Sequence, residues 1–86
     1  MRARRLGELL QLMQPAVVEL DGDPDIVVGP DVVIDNRNAT LGALFIAIPG
    51  ERVDGHDFAP AAVEAGAAAV LGTRPTDAAV PHLVCD

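Results

Sequence analysis

The sequence predicts an α/β domain with a mostly parallel sheet flanked by short helices, and three observations predict it. A β-branched run, Val32-Val33-Ile34, and a second apolar run, Leu44-Phe45-Ile46-Ala47-Ile48, each end in a polar or Pro/Gly loop. A helical pattern over about residues 58 to 65 stands between the second run and a third, Ala67 to Leu71, giving strand, helix, strand with the usual right-handed crossover. An amphipathic stretch near the start supplies a further packing helix.

Taken in order, Leu6, Leu9, Leu10 and Met13 fall at i, i+3, i+4 and i+7, which predicts a helix over about residues 5 to 14, stopped by Pro15. Val17 and Val18 begin a short strand, and Asp21-Gly22-Asp23-Pro24 is turn chemistry. Ile26, Val27 and Val28 form a second short apolar run, closed by Gly29-Pro30. Asp57 is the expected N-cap of the helix that follows Pro49-Gly50, with Pro60 in its first turn and Gly66 at C′. Thr73 to Pro81 is a turn-rich connection, and Leu83-Val84-Cys85 reads as a last strand. No repeat, low-complexity tract or interior linker divides the chain, so residues 1–86 are expected to form one domain.

Composition removes several classes of function. There is no Trp, Tyr or Lys, and Phe45 and Phe58 are the only aromatics, so a base-stacking platform has little to work with. Of the six arginines, Arg2, Arg4 and Arg5 crowd the start; from residue 6 onward three Arg face thirteen acids, a net of −10. That field opposes a nucleic-acid backbone or an anionic membrane, so a phosphate bound here is held by local geometry. Cys85 has no partner for an intramolecular disulfide. No run approaches the roughly 20 apolar residues of a membrane span, and Gly7, Glu8 and Gln11 interrupt the only candidate for a signal-peptide core. The expected compartment is the cytoplasm.

Both strands with polar C-terminal loops deliver them where open α/β sheets bind ligands. The first loop carries Asp35, Asn36 and Arg37, and the second carries Gly50, Glu51, Arg52, Val53, Asp54, Gly55 and His56. Arg37 can grip an anion or close a salt bridge to Asp35 or Asp54. Asp35 can brace its own loop. Asp54-Gly55-His56-Asp57 can be simply a turn and an N-cap, while Gly50 and Gly55 fit a backbone that turns sharply or approaches a ligand. As a metal site, Asp54, His56 and Asp57 put three ligands inside four residues with no distant partner, which is a poor cage, and no metal is expected. His82, beside Pro81, is expected to be an exposed surface histidine.

The segment Val33-Ile34-Asp35-Asn36-Arg37, a spacer, then Gly42 through Phe58 with Pro49-Gly50-Glu51-Arg52-Val53-Asp54-Gly55-His56-Asp57-Phe58, closely resembles the N-terminal domain of the Mur ligases; Ala65-Gly66-Ala67-Ala68-Ala69-Val70-Leu71 continues the match. The resemblance covers roughly residues 29 to 86. Asn36 stands where the family has Ser, and Leu41-Gly42-Ala43 where it has Pro-Gly-Asp. Asn keeps a donor and an acceptor, so the first difference preserves hydrogen bonding. Within the family, Gly29-Pro30 and Gly72-Thr73-Arg74-Pro75 look most like the ligase that adds D-alanyl-D-alanine, with the ligase that adds the third peptide residue as the sister possibility.

The resemblance implies a domain that anchors the UDP end of a UDP-N-acetylmuramoyl-peptide while bond formation occurs elsewhere. Asn36 and the backbone of Glu51, Arg52 and Val53 would read uracil, and Arg37 and Arg52 are the diphosphate candidates. It also implies a parent that uses ATP and Mg²⁺, and an ATPase domain of that parent as the partner of this one. With no lysine, neither a phosphate-loop lysine nor the family's modified, metal-holding lysine is present, so these 86 residues alone should be inactive and hold no cofactor. Two other readings stay open: a free-standing nucleotide-binding or scaffolding module, and an α/β domain whose loops match for structural reasons alone.

Overall fold

A computed structural model describes residues 2–85. The strands are β1 (Arg4–Arg5), β2 (Val17–Asp21), β3 (Val27–Val28), β4 (Val32–Val33), β5 (Leu44–Ile46), β6 (Ala69–Gly72) and β7 (His82–Cys85); the helices are α1 (Leu6–Met13) and α2 (Ala59–Glu64). Single 3₁₀ turns cover Asn36–Asn38 and Gly55–Phe58.

Five strands form the main sheet in the order β2-β7-β6-β5-β4. β4, β5, β6 and β7 run parallel, and β2 closes one edge antiparallel to β7. The expected mostly parallel sheet is therefore present. β1 and β3 form a separate antiparallel pair, Arg4 opposite Val28 and Arg5 opposite Val27. The Arg-rich start carries no apolar alternation, so nothing in its sequence marked it as strand.

Strand alternation distributes the core to both faces of the sheet. Leu44, Ala69, Leu71 and Leu83 point to the face covered by α1, where they meet Leu6, Leu9, Val17 and Val28. Phe45 and Val70 point the other way, against Ala59 and Ala62 of α2. Coverage on both sides explains why these strands read as continuous apolar runs. The small alanine face of α2 lets it lie close to the sheet.

The first turn of α1 is satisfied by the chain beyond β2: the N–H of Leu6 donates to the carbonyl of Ile26 at 2.9 Å and that of Gly7 to Pro24 at 2.8 Å. At its other end α2 stops at Gly66, whose φ of +121° closes the helix; a Cβ there would come within 2.9 Å of Leu41 Cα.

Four local expectations are corrected. Asp57 does not cap the second helix: Asp54 accepts the His56 N–H and starts a 3₁₀ turn over Gly55–Phe58, after which α2 begins at Ala59. An Asp three residues earlier competes successfully because its side chain reaches the first free N–H. The strand expected through Ile48 ends at Ile46, and the one expected from Ala67 starts at Ala69. His82 is buried at 4 % exposure, with Nε2 2.6 Å from Thr76 Oγ1, because it lies on a central strand between β6 and β2 and not on the loop before it.

Candidate functional site

The C-terminal ends of the neighbouring strands β4 and β5 open into a cleft of about 700 Å³. One wall is Ile34, Asp35, Asn36 and Arg37; the other is Ile48, Pro49, Val53, Gly55 and Phe58. This is the crevice at which an open α/β sheet takes ligands.

The first wall is shaped by Asp35. Its Oδ1 accepts the backbone N–H of Arg37 at 2.9 Å, and its carbonyl accepts that of Asn38 at 3.0 Å, which folds the loop into one 3₁₀ turn. The Arg37 guanidinium then lies along the same carboxylate, with Nη2 2.7 Å from Oδ2 and Nε 3.0 Å from Oδ1. Arg37 is therefore braced by Asp35, yet its side chain remains 83 % exposed at the mouth of the cleft. The side-chain hydrogen bond from Arg37, reinforced by its backbone N–H, holds the Asp35 carboxyl at about 2, well below its ordinary 3.8, and the pairing raises Arg37.

The second wall is a loop folded back onto the end of β5. The Gly55 N–H donates to the Ile48 carbonyl at 2.8 Å, and a Cβ at Gly50 would collide with the Val53 carbonyl oxygen. Asp54 accepts twice at Oδ1, from the His56 backbone N–H at 2.9 Å and from His56 Nδ1 at 2.6 Å, while Arg74 Nη2 reaches its Oδ2 at 3.2 Å. These bonds, the His56 backbone N–H first and the ring second, lower the Asp54 carboxyl to about 2 against a smaller opposing effect of burial.

The sign of the pH dependence follows. A carboxyl lowered from 3.8 to about 2 on folding contributes stability that is fully present above 3.8 and is lost as pH falls through 2. We expect carboxyl-carbon NMR titrations of Asp35 and Asp54 to show midpoints near 2. Midpoints near the roughly 3.9 of an unstructured Asp would mean that the two turns are not held by these side chains in solution.

Of the ten site residues expected from sequence, Asp35, Asn36, Arg37, Val53 and Gly55 line the cleft. Gly50, Glu51 and Arg52 form the exposed tip of the second loop and do not line it. Asp54 and His56 turn to the opposite side of that loop, toward Thr73 and Arg74, and His56 is 2 % exposed. Ile34, Ile48, Pro49 and Phe58 were not anticipated. Each flanks a polar loop, and all but Pro49 expose a large apolar side chain, a combination that marks a binding surface more than a core.

Residues 31–84, more than half of the chain, match the family model described as Mur ligase family, catalytic domain. The chain belongs to the Mur ligase family. It is 42% identical over 80 residues to a Mur-type relative, the UDP-N-acetylmuramoyl-L-alanyl-D-glutamate–2,6-diaminopimelate ligase of Geobacillus thermodenitrificans, covering 93% of this chain and 16% of that one. It is 49% identical over 53 residues to the UDP-N-acetylmuramoyl-tripeptide–D-alanyl-D-alanine ligase of Escherichia coli, covering 62% of this chain and 12% of that one. Among solved structures, MurF from Acinetobacter baumannii superposes with a TM-score of 0.79 at 29% identity, over 99% of this chain and 18% of that one. The fold is thus shared with Mur ligases along its whole length, while the chain spans less than a fifth of these relatives.

Proposed function

We propose that this domain anchors the UDP end of a UDP-N-acetylmuramoyl-peptide for a cytoplasmic, ATP- and Mg²⁺-dependent ligase of peptidoglycan synthesis. The observation that carries the reading is the cleft between the ends of β4 and β5, one wall apolar and the other bearing Asp35, Asn36 and Arg37. A flat, weakly polar base suits the slot formed by Ile34, Ile48, Val53 and Phe58, with Asn36 and loop amides reading its edge. The diphosphate then lies toward the mouth, where Arg37 is exposed and Arg52 stands on the neighbouring loop tip. In a chain otherwise so acidic, Arg37 and Arg52 are the two guanidinium groups near the cleft that can donate to a diphosphate, Arg37 while sharing its charge with Asp35. Asp54 and His56 serve the site from behind the loop. ATP, Mg²⁺ and the bond-forming step belong to other domains of the parent; having no lysine, the 86 residues alone form no amide bond.

The D-alanyl-D-alanine-adding ligase is the parent we favour, on Gly29-Pro30 and Gly72-Thr73-Arg74-Pro75 and on the end-to-end superposition with MurF. The third-residue-adding ligase is the second reading, favoured by the 42% identity over 93% of the chain.

The test is a two-dimensional NMR titration of the domain with UDP and then UDP-N-acetylmuramic acid. Saturable shifts confined to residues 34–38 and 48–58 are expected, and Arg37→Ala should raise the UDP Kd roughly tenfold to a hundredfold without loss of fold, the size of a lost charge-assisted hydrogen bond. No shifts at millimolar ligand, or an Arg37→Ala domain that melts earlier but binds equally well, would sink the respective claim.

A further inference from the structure

We infer that His56 is a positioning residue: it ties the loop that walls the cleft to the end of β6 and so sets the width of the nucleotide slot. The inference rests on the nucleotide-binding reading for its consequence, though not for its geometry.

The loop after β5 has two sides. Val53 and Gly55 face the cleft, whereas the alternate residues Asp54 and His56 face the β6–β7 connection. On that second side the His56 ring is enclosed, and both of its nitrogens are engaged: Nδ1 with Asp54 Oδ1 at 2.6 Å, and Nε2 as acceptor of the Thr73 N–H at 3.0 Å. A ring nitrogen that accepts an N–H carries no proton, so the arrangement requires the neutral ring with its hydrogen on Nδ1, donated to Asp54. β6 is shaped to receive it. A Cβ at Gly72 would stand 2.6 Å from His56 Nε2 and 2.9 Å from its Cδ2, so this buried strand position is glycine where a β-former would pack better. Arg74 closes the assembly from outside through Asp54.

A turn needs only the Asp54 cap. A buried ring that bridges from that cap to a residue seventeen positions away does more: it references the cleft wall to the sheet. Without the bridge, the loop keeps the Gly55 to Ile48 hydrogen bond just past β5 and, toward β6, only the half-exposed Arg74–Asp54 pair at the surface.

Asparagine and glutamine divide the two halves of the bridge. In His56→Asn the shorter amide can still meet Asp54 but stops short of Thr73; in His56→Gln the side-chain carbonyl reaches the Thr73 N–H. We expect long-range ¹⁵N–¹H spectra of the wild-type ring to show the Nδ1–H tautomer. His56→Asn should raise the UDP Kd about tenfold, the effect of one hydrogen bond on the wall, and should move the Val53 and Gly55 amides before UDP is added while Ala69 to Leu71 stay in place. His56→Gln should bind close to wild type. Should His56→Asn fail to fold, Gly72→Ala, which pushes the ring from the Thr73 side, is expected to displace the same two amides. An Nε2–H tautomer, or a folded variant with both amides in their wild-type positions and an unchanged Kd, overturns the inference. Wild-type protein that shows no saturable UDP shifts overturns the nucleotide reading instead, and the free-state amide positions still decide whether His56 holds the wall.

Discussion

Phe45→Ala is expected to cost about 3–5 kcal/mol of folding stability, which for a domain of this size is most of what there is. Phe45 is 1 % exposed at the centre of β5, the strand between β4 and β6, and its ring fills the space under Ala59, Ala62 and Val70. Those neighbours are too small and too well packed to close over the void. Chemical denaturation should show a collapsed midpoint or an unfolded protein; a loss below about 1 kcal/mol would mean that the α2 face of the sheet is far more loosely packed than the burial indicates.

Gly55→Ala is the second large effect, and it acts on function as well as stability. The added methyl would lie 2.6 Å from the Ile48 nitrogen and 2.9 Å from its oxygen. Both are backbone atoms of the segment two residues past β5, so no side chain can rotate away to make room. The Gly55 to Ile48 hydrogen bond must break, the loop must lift, and Val53 leaves the cleft with it. We expect a loss of about 1–3 kcal/mol from overpacking together with disappearance of UDP-dependent shifts. A variant that binds UDP with the wild-type Kd would show that this loop is not the wall of the site.

Much of the architecture could be read from the sequence because it rests on local patterns. Leu6, Leu9, Leu10 and Met13 announced α1, Gly66 announced the end of α2, and the apolar runs at 32–34, 44–48 and 67–71 announced three parallel strands. What escaped was decided by tertiary context. β1 exists because Val27 and Val28 offer it a partner, and its own residues carry no strand signal. His82 looked like a surface residue beside a proline, but its neighbours across the sheet bury it. The candidate site divided in the same way. Asp35, Asn36 and Arg37 sit on a loop that extends a strand directly, so their common location followed from sequence order. Beyond Pro49 the chain doubles back on itself, and which of Val53, Asp54, Gly55 and His56 face the cleft depends on a hydrogen bond to Ile48 and on a ring lodged against β6. Ile34 and Ile48 were missed because a residue that continues past its strand's last sheet partner looks no different in sequence from one that is buried, and Phe58 because it reads as the apolar start of a helix.

The pairing of β2 with β7 bears on how the molecule is made. Val17 lies opposite Cys85, so among the described residues the earliest strand of the main sheet finds its only partner in the latest. On a ribosome, α1 and the edge it packs on emerge well before the strand that gives that edge a hydrogen-bonding neighbour. Until β7 is out, Val17 and Leu20 belong to an unpaired ribbon whose apolar side is open to passing chains. A sheet whose closing contact joins such distant positions also folds more slowly than its size suggests, since the loop between them must be ordered first.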